Sequence, residues 1–156
     1  EVEEEEEEEE GGEGDEALPP RPFLPLVARY SSEGGFIASG YANGDVVLWD
    51  ASTLTRVRCF RACEEGSAIV DLAWSHNDRR VLTVSAAARL RVWAVEGDRL
   101  VADVRAGGGA EILSARFHPR NSGLALVCFF KHEPALVSLR PSALSSSSST
   151  SSSTSS

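Results

Sequence analysis

The chain has 156 residues and a formal net charge of −9, from 24 acidic and 15 basic side chains. Twelve of the acids and no base fall within residues 1–16, so the charge belongs to one end and the remainder is slightly basic, 12 acids against 15 bases. No stretch approaches the ~20 apolar residues of a membrane-spanning helix, and nothing has the pattern of a secretory signal.

The first segment, EVEEEEEEEEGGEGDE, has almost nothing to bury and cannot recover its ordering entropy. Residues 1–21 are expected to be a disordered acidic tail, a solvated spacer; a tail for a basic partner, mimicking histone contacts, is the functional alternative. From about Pro22 to Leu144 the pattern changes to short apolar runs separated by Gly, Asn and Ser. VARY, FIASGY, VVLWD, RVRCF, AIVDLAW, VLTVSA, RLRVWAV, LVADVR, ILSARF, LALVCFF and PALVSL all read as strands. Asn43-Gly44 is the strongest hairpin signal, because a tight primed turn needs positive φ. Asn77-Asp78, Gly97-Asp98, Gly107-Gly108-Gly109 and Asn121-Ser122-Gly123 mark further turns. Ser145 to Ser156 is low-complexity, and 145–156 is expected to be a second disordered tail, rich in Ser and Thr. Methionine is absent even at position 1, which points to a fragment of a longer protein.

Aromatic residues recur with one period. Trp93 follows Trp49 by 44 residues, Trp74 follows Tyr30 by 44, and Phe117 follows Trp74 by 43. VARYSSEGGFIASGYANGDVVLWD, DLAWSHNDRRVLTVSAAARLRVWAV and SARFHPRNSGLALVCFFKHEPALVSL align as aromatic strand, polar turn, apolar strand, tight turn, apolar strand. A period of ~40–45 residues with four strands per unit and a Trp near the end of the third is the WD-repeat pattern. Over roughly residues 24–140 the chain resembles the WD-repeat β-propeller family, best in IASGYANGDVVLWD. The expected fold is all-β: a partial propeller of about two and a half to three four-stranded blades over 22–144, with repeats at roughly 24–62, 63–106 and 107–140. Tyr30, Trp49, Asp50, Trp74, Trp93 and Phe117 are expected to pack the blades. Where the family often carries Asp and His, this chain has Asn43 and Ala87, with Cys63 near the His position. The family's buried Asp–His–Ser–Trp network is therefore expected to be incomplete, leaving packing and sheet ladders to hold the blades. Three blades also leave two apolar flanks open, so the chain alone is expected to be unstable or to associate.

Catalysis has little to work with. His76, His118 and His132 each sit near a turn, no Ser or Cys occupies a nucleophile elbow, and Gly107–Gly109 does not precede a helix. Cys59, Cys63 and Cys128 make no disulfide framework, and no second Cys pair or His pair stands at a zinc spacing. No enzyme activity, metal, cofactor, small-molecule substrate or membrane is expected. The arginines, 14 against a single lysine, carry the one candidate surface: Arg56, Arg58, Arg61, Arg79, Arg80, Arg89 and Arg91. Arginines on an outer strand also protect its edge from aggregation, whereas the functional reading is a phosphate or acidic-partner contact.

Phe117-His118-Pro119-Arg120-Asn121, then Leu126-Val127-Cys128 and Pro134-Ala135-Leu136-Val137, are similar to the propeller subunits of COMPASS-type histone methyltransferases. That resemblance implies a nuclear, non-catalytic scaffold that helps place a SET-domain enzyme on lysine four of histone three, with nucleosome contact. Methyl transfer would belong to a partner subunit. A WD-repeat scaffold of another assembly, in ribosome maturation, trafficking or ubiquitin ligation, is the alternative.

Overall fold

The computed structural model describes residues 24–63, 66–108 and 110–140. The two expected tails, 1–21 and 145–156, lie outside the described residues. Among the described residues there are eleven strands and no helix, and each strand coincides with one of the apolar runs read from the sequence.

The strands form three antiparallel meanders. The first holds β1 (Pro25–Tyr30), β2 (Phe36–Tyr41), β3 (Asp45–Asp50) and β4 (Arg56–Arg61). The second holds β5 (Ile69–Trp74), β6 (Arg80–Ser85), β7 (Arg89–Ala94) and β8 (Arg99–Arg105). The third holds β9 (Ile112–His118), β10 (Asn121–Phe129) and β11 (Ala135–Ser138). Each first strand packs beside the first strand of the next sheet, β1 on β5 and β5 on β9, so the sheets radiate from a common inner side as blades do.

The repeat extends to its irregularities. The pairing shifts between Pro25 and Val27 in β1, and again between Ile69 and Asp71 in β5, 44 residues on. It shifts between Leu48 and Trp49, and again between Val92 and Trp93. In both blades the extra residue sits on the outer strand facing the Trp, Val57 in β4 and Val101 in β8, so the local bend of that edge repeats too. The β2–β3 turn closes through Gly44 at φ 88°, and the β6–β7 turn through Ala88 at φ 57°. The glycine is required in the first turn, because a Cβ at Gly44 would lie 3.0 Å from the carbonyl oxygens of Cys63 and Ser67.

Two apolar clusters lie between the blades, built mainly from in-facing aliphatic residues worth roughly 1.5–3 kcal/mol each when fully buried. Ala38, Val46, Leu48, Ile69, Leu72 and Val81 belong to the one joining blades 1 and 2. Leu82, Val84, Leu90, Ile112, Ala125 and Val127 belong to the one joining blades 2 and 3. Both outer flanks show apolar side chains: Leu24, Leu26 and Tyr30 on blade 1, and Leu113, Leu126, Phe130 and Leu136 on blade 3.

Candidate interaction surface

Each blade grips the one before it. Trp74 of β5 stacks on Phe36 of blade 1, ring centroids 6.3 Å apart, and donates its Nε1–H to the Arg29 carbonyl at 3.1 Å. Trp93 of β7 tilts against Phe60 of blade 1 at 5.1 Å. The Asp78 carboxylate, in the β5–β6 turn, accepts the backbone N–H groups of Ser32 (2.6 Å) and Glu33 (2.9 Å). Asp71, buried on the inner strand of blade 2, ties three blades together. It accepts from Arg29 of blade 1 at 3.4 Å, from the Ala115 N–H of blade 3 at 3.2 Å, and from the Arg116 guanidinium.

Inside the blades a hydrogen bond of the expected network persists. Trp49 donates to Ser39 Oγ at 2.7 Å and Trp93 to Thr83 Oγ1 at 3.3 Å, the same offset of ten residues in each blade. Ser39 in turn donates to the Tyr41 hydroxyl at 3.3 Å, so a tyrosine follows the serine in the chain of bonds. These pairs were legible in the aligned repeats, where Ser39 and Thr83 occupy one position and Trp49 and Trp93 another.

No family model matches the chain. The chain is similar to the Set1 complex component Swd1 of Schizosaccharomyces pombe, 31% identical over 109 residues, covering 70% of this chain and 26% of that protein. It is similar to the retinoblastoma-binding protein homolog 5 of Caenorhabditis elegans, 29% identical over 114 residues, covering 72% of this chain and 24% of that one. Among solved structures it matches the Myceliophthora thermophila Cps50 (Swd1) β-propeller domain with a TM-score of 0.69 and 28% identity, over 77% of this chain and 36% of that one. The chain is a segment of a WD-repeat β-propeller. It spans about a quarter of the length of the curated relatives it matches.

The propeller geometry places the six aromatic and acidic packing candidates unequally. Trp74 and Trp93 are each only 9% exposed, and Phe117 is half-buried against the cluster between blades 2 and 3. Tyr30 departs from the expectation: it is 68% exposed. The reason is directional, because these inner-strand aromatics face the preceding blade, and among the described residues no blade precedes β1. Trp49 is half-buried on that same flank. Asp50 organises a turn: its Oδ1 accepts from the Ser52 hydroxyl (2.6 Å) and from the backbone N–H of Ser52 and Thr53, both at 2.9 Å. The Ser52 hydroxyl first, then those N–H groups, hold its carboxyl down at about 2. Burial and the nearby Asp45 charge push the Cys59 thiol up, which makes it a poor nucleophile.

The arginine surface is largely spent on internal contacts. Arg91 is a correction: it is buried, and its guanidinium reaches Asp103 at 3.1 Å and the Ala62 carbonyl at 2.9 Å. It faces inward because a cross-strand acid and an open backbone carbonyl satisfy it there. Arg61 pairs with Asp45 at 3.1 Å, Arg58 with Asp98 at 3.2 Å and Arg89 with Asp103 at 3.2 Å. Arg80 donates to the Ser122 carbonyl at 3.1 Å and so joins blade 2 to blade 3. Of the seven, Arg56 and Arg79 are exposed and without an ion pair among the described residues.

Two clefts lie between blades. One of about 270 Å³ runs beside Phe36, Val57 and Val95 and is bridged by Arg58. A larger one, about 400 Å³, opens between blades 2 and 3 at the end where β8 connects to β9, and it was not read from the sequence.

Proposed function

We propose that this chain is part of a non-catalytic scaffold subunit in a COMPASS-type complex that methylates histone three at lysine four. The observation that carries the reading is the likeness to a Set1 complex component and to a retinoblastoma-binding protein 5 homologue, joined to a propeller fold shared with Swd1. A blade stack suits the role, since stacked antiparallel sheets hold a large surface rigid while reaction chemistry stays with a SET-domain partner. On this reading residues 22–144 form one propeller segment and the protein works in the nucleus. Arg56 and Arg79 are then the members of the arginine set with charge available to an acidic partner or to nucleosomal phosphate.

Affinity capture of the full-length protein from nuclear extract tests it. Co-recovery of a SET-domain methyltransferase, with lysine-four methylation of histone three in the eluate, is the expected result. Recovery of an assembly without such an enzyme overturns the assignment and leaves a WD-repeat scaffold of another complex.

A further inference from the structure

The repeat allows the two inter-blade junctions to be compared residue by residue at the end where one blade connects to the next. Between blades 1 and 2 that end is filled. Cys63, 1% exposed, sits in the cluster with Ile69, and Arg91 closes over the connection through the Ala62 carbonyl. The positions 44 residues on are occupied differently. Gly107 stands where Cys63 stood, and a Cβ added to Gly107 or Gly108 would meet nothing within 4 Å. What remains is the cleft of about 400 Å³, walled by Leu90, Ile112, Val127, Phe129 and Val137. That volume and apolar character are those of a binding pocket rather than of a packing defect.

The mouth of the cleft carries a charge that the fold leaves unmatched. In blade 1 the cross-strand pair at this end is Asp45 opposite Arg61, joined at 3.1 Å. In blade 2 the same pair is Arg89 opposite Arg105, two like charges facing each other across the ladder, an arrangement that costs stability. The carboxylate of Asp103 is taken by Arg89 and Arg91. Arg105 is exposed and lines the cleft, and its guanidinium has neither ion pair nor hydrogen bond among the described residues. His132 and Glu133 complete the rim. Beside them the glycines 107 and 108 present backbone without side chains, which allows another main chain to come close.

We propose that the cleft between blades 2 and 3 is a docking site for an extended peptide segment of a protein partner. The segment places a bulky apolar side chain in the cleft and an acidic neighbour on Arg105. The apolar walls supply affinity, and the unmatched guanidinium supplies orientation and selects against basic sequences. The inference stands apart from the chromatin reading, because it concerns the chemistry of the segment and not the complex that carries it.

The test uses the full chain and three synthetic seven-residue peptides, followed by fluorescence anisotropy. One carries Leu flanked by Glu, one replaces each Glu by Lys, and one replaces Leu by Ala. The first is expected to bind at least about tenfold more tightly than either of the others. Arg105→Glu is expected to weaken it about tenfold and to improve the Lys peptide, while Gly107→Leu, which fills the cleft, weakens both. Arg99→Glu, on the same outer strand away from the cleft, should leave binding unchanged and so controls for folding. Equal binding of the Glu and Lys peptides, or indifference to both cleft variants, overturns the proposal. A gain of about tenfold when Glu3 to Glu10 are replaced by Gln also overturns it, since the chain's own acidic segment would then be the occupant.

Discussion

The two junctions of this molecule are built on one repeat, yet they are finished differently. Blades 1 and 2 meet through two aromatic pairs, a turn clamped by Asp78, and a thiol and a guanidinium that close the connecting end. Blades 2 and 3 meet through Asp71, Arg80 and an apolar cluster, with the equivalent connecting end left open as a cleft. Phe117 takes the place of Trp74, and Val137 the strand position of Trp93. A propeller can therefore vary what each junction offers to a partner while holding its sheets in the same relation.

The sharpest way to break that contrast is to truncate the same side chain in both places. Ile69 and Ile112 open equivalent inner strands, five residues before Trp74 and Phe117, and are both buried. Ile69→Ala is expected to cost ~2–5 kcal/mol, the range for deleting a close-packed aliphatic side chain. Ile112→Ala is expected at or below the bottom of that range, because one side of Ile112 faces the cleft and has fewer contacts to lose. Urea unfolding of the two variants reads the difference, and equal losses would mean that both junctions are equally packed.

Next in size is the carboxylate that both junctions share. Asp71→Ala removes the partner of the buried Ala115 N–H and of two guanidiniums, those of Arg29 and Arg116, that are about half exposed and can turn to water. The cost expected is ~1–3 kcal/mol, that of an orphaned buried donor, and less than for a fully buried ion pair. Urea unfolding again measures it. A loss under a few tenths of a kcal/mol would show that Asp71 does not hold the blades together.

Much of this was legible in the sequence, and the reasons divide cleanly. All eleven strands were readable because alternating apolar residues and turn chemistry are local, and the blade repeat because Tyr30, Trp74 and Phe117 keep one period. The internal contacts of the arginines were not readable because their partners are not local. Arg61 pairs with an acid 16 residues away, Arg58 with one 40 away, and Arg91 with one 12 away across a hairpin. Tyr30 has the right position in the repeat, but its burial depends on a preceding blade. The cleft stayed hidden because Cys63 and Gly107 look like unrelated loop residues until the repeat is laid over both junctions.

Filling the open junction is a smaller intervention. Gly107 has no positive φ, and an added Cβ meets nothing, so Gly107→Ala is expected to stabilise the chain by ~0.4–1 kcal/mol, chiefly by restricting the unfolded state. A rise in the urea midpoint without a change in slope is the expected reading. A fall would mean that the glycine backbone there is needed in a conformation or contact that alanine disturbs.

The last contrast lies in the turn after each blade's third strand. In blade 1, Asp50 holds the turn with its carboxylate, and Leu54 takes φ 56°. Forty-four residues on, Ala94 replaces the aspartate, and the turn runs through Gly97 at φ 79° and Asp98 at φ 49°. One blade holds its turn through a carboxylate that accepts from the turn itself and the other has no such acceptor at that position, so protonation of Asp50 should loosen the first turn. With its folded pKa lowered from 3.8 to about 2, Asp50 contributes stability that is fully present above its unfolded value and is lost as pH falls through about 2. Carboxyl carbon NMR should show Asp50 titrating near 2, and Ser52→Ala should move it back toward the ordinary value, because the Ser52 hydroxyl is the largest influence on it. Titration of the wild-type residue near 3.8 would mean that the turn is held by its backbone in both blades, and this contrast between them would disappear.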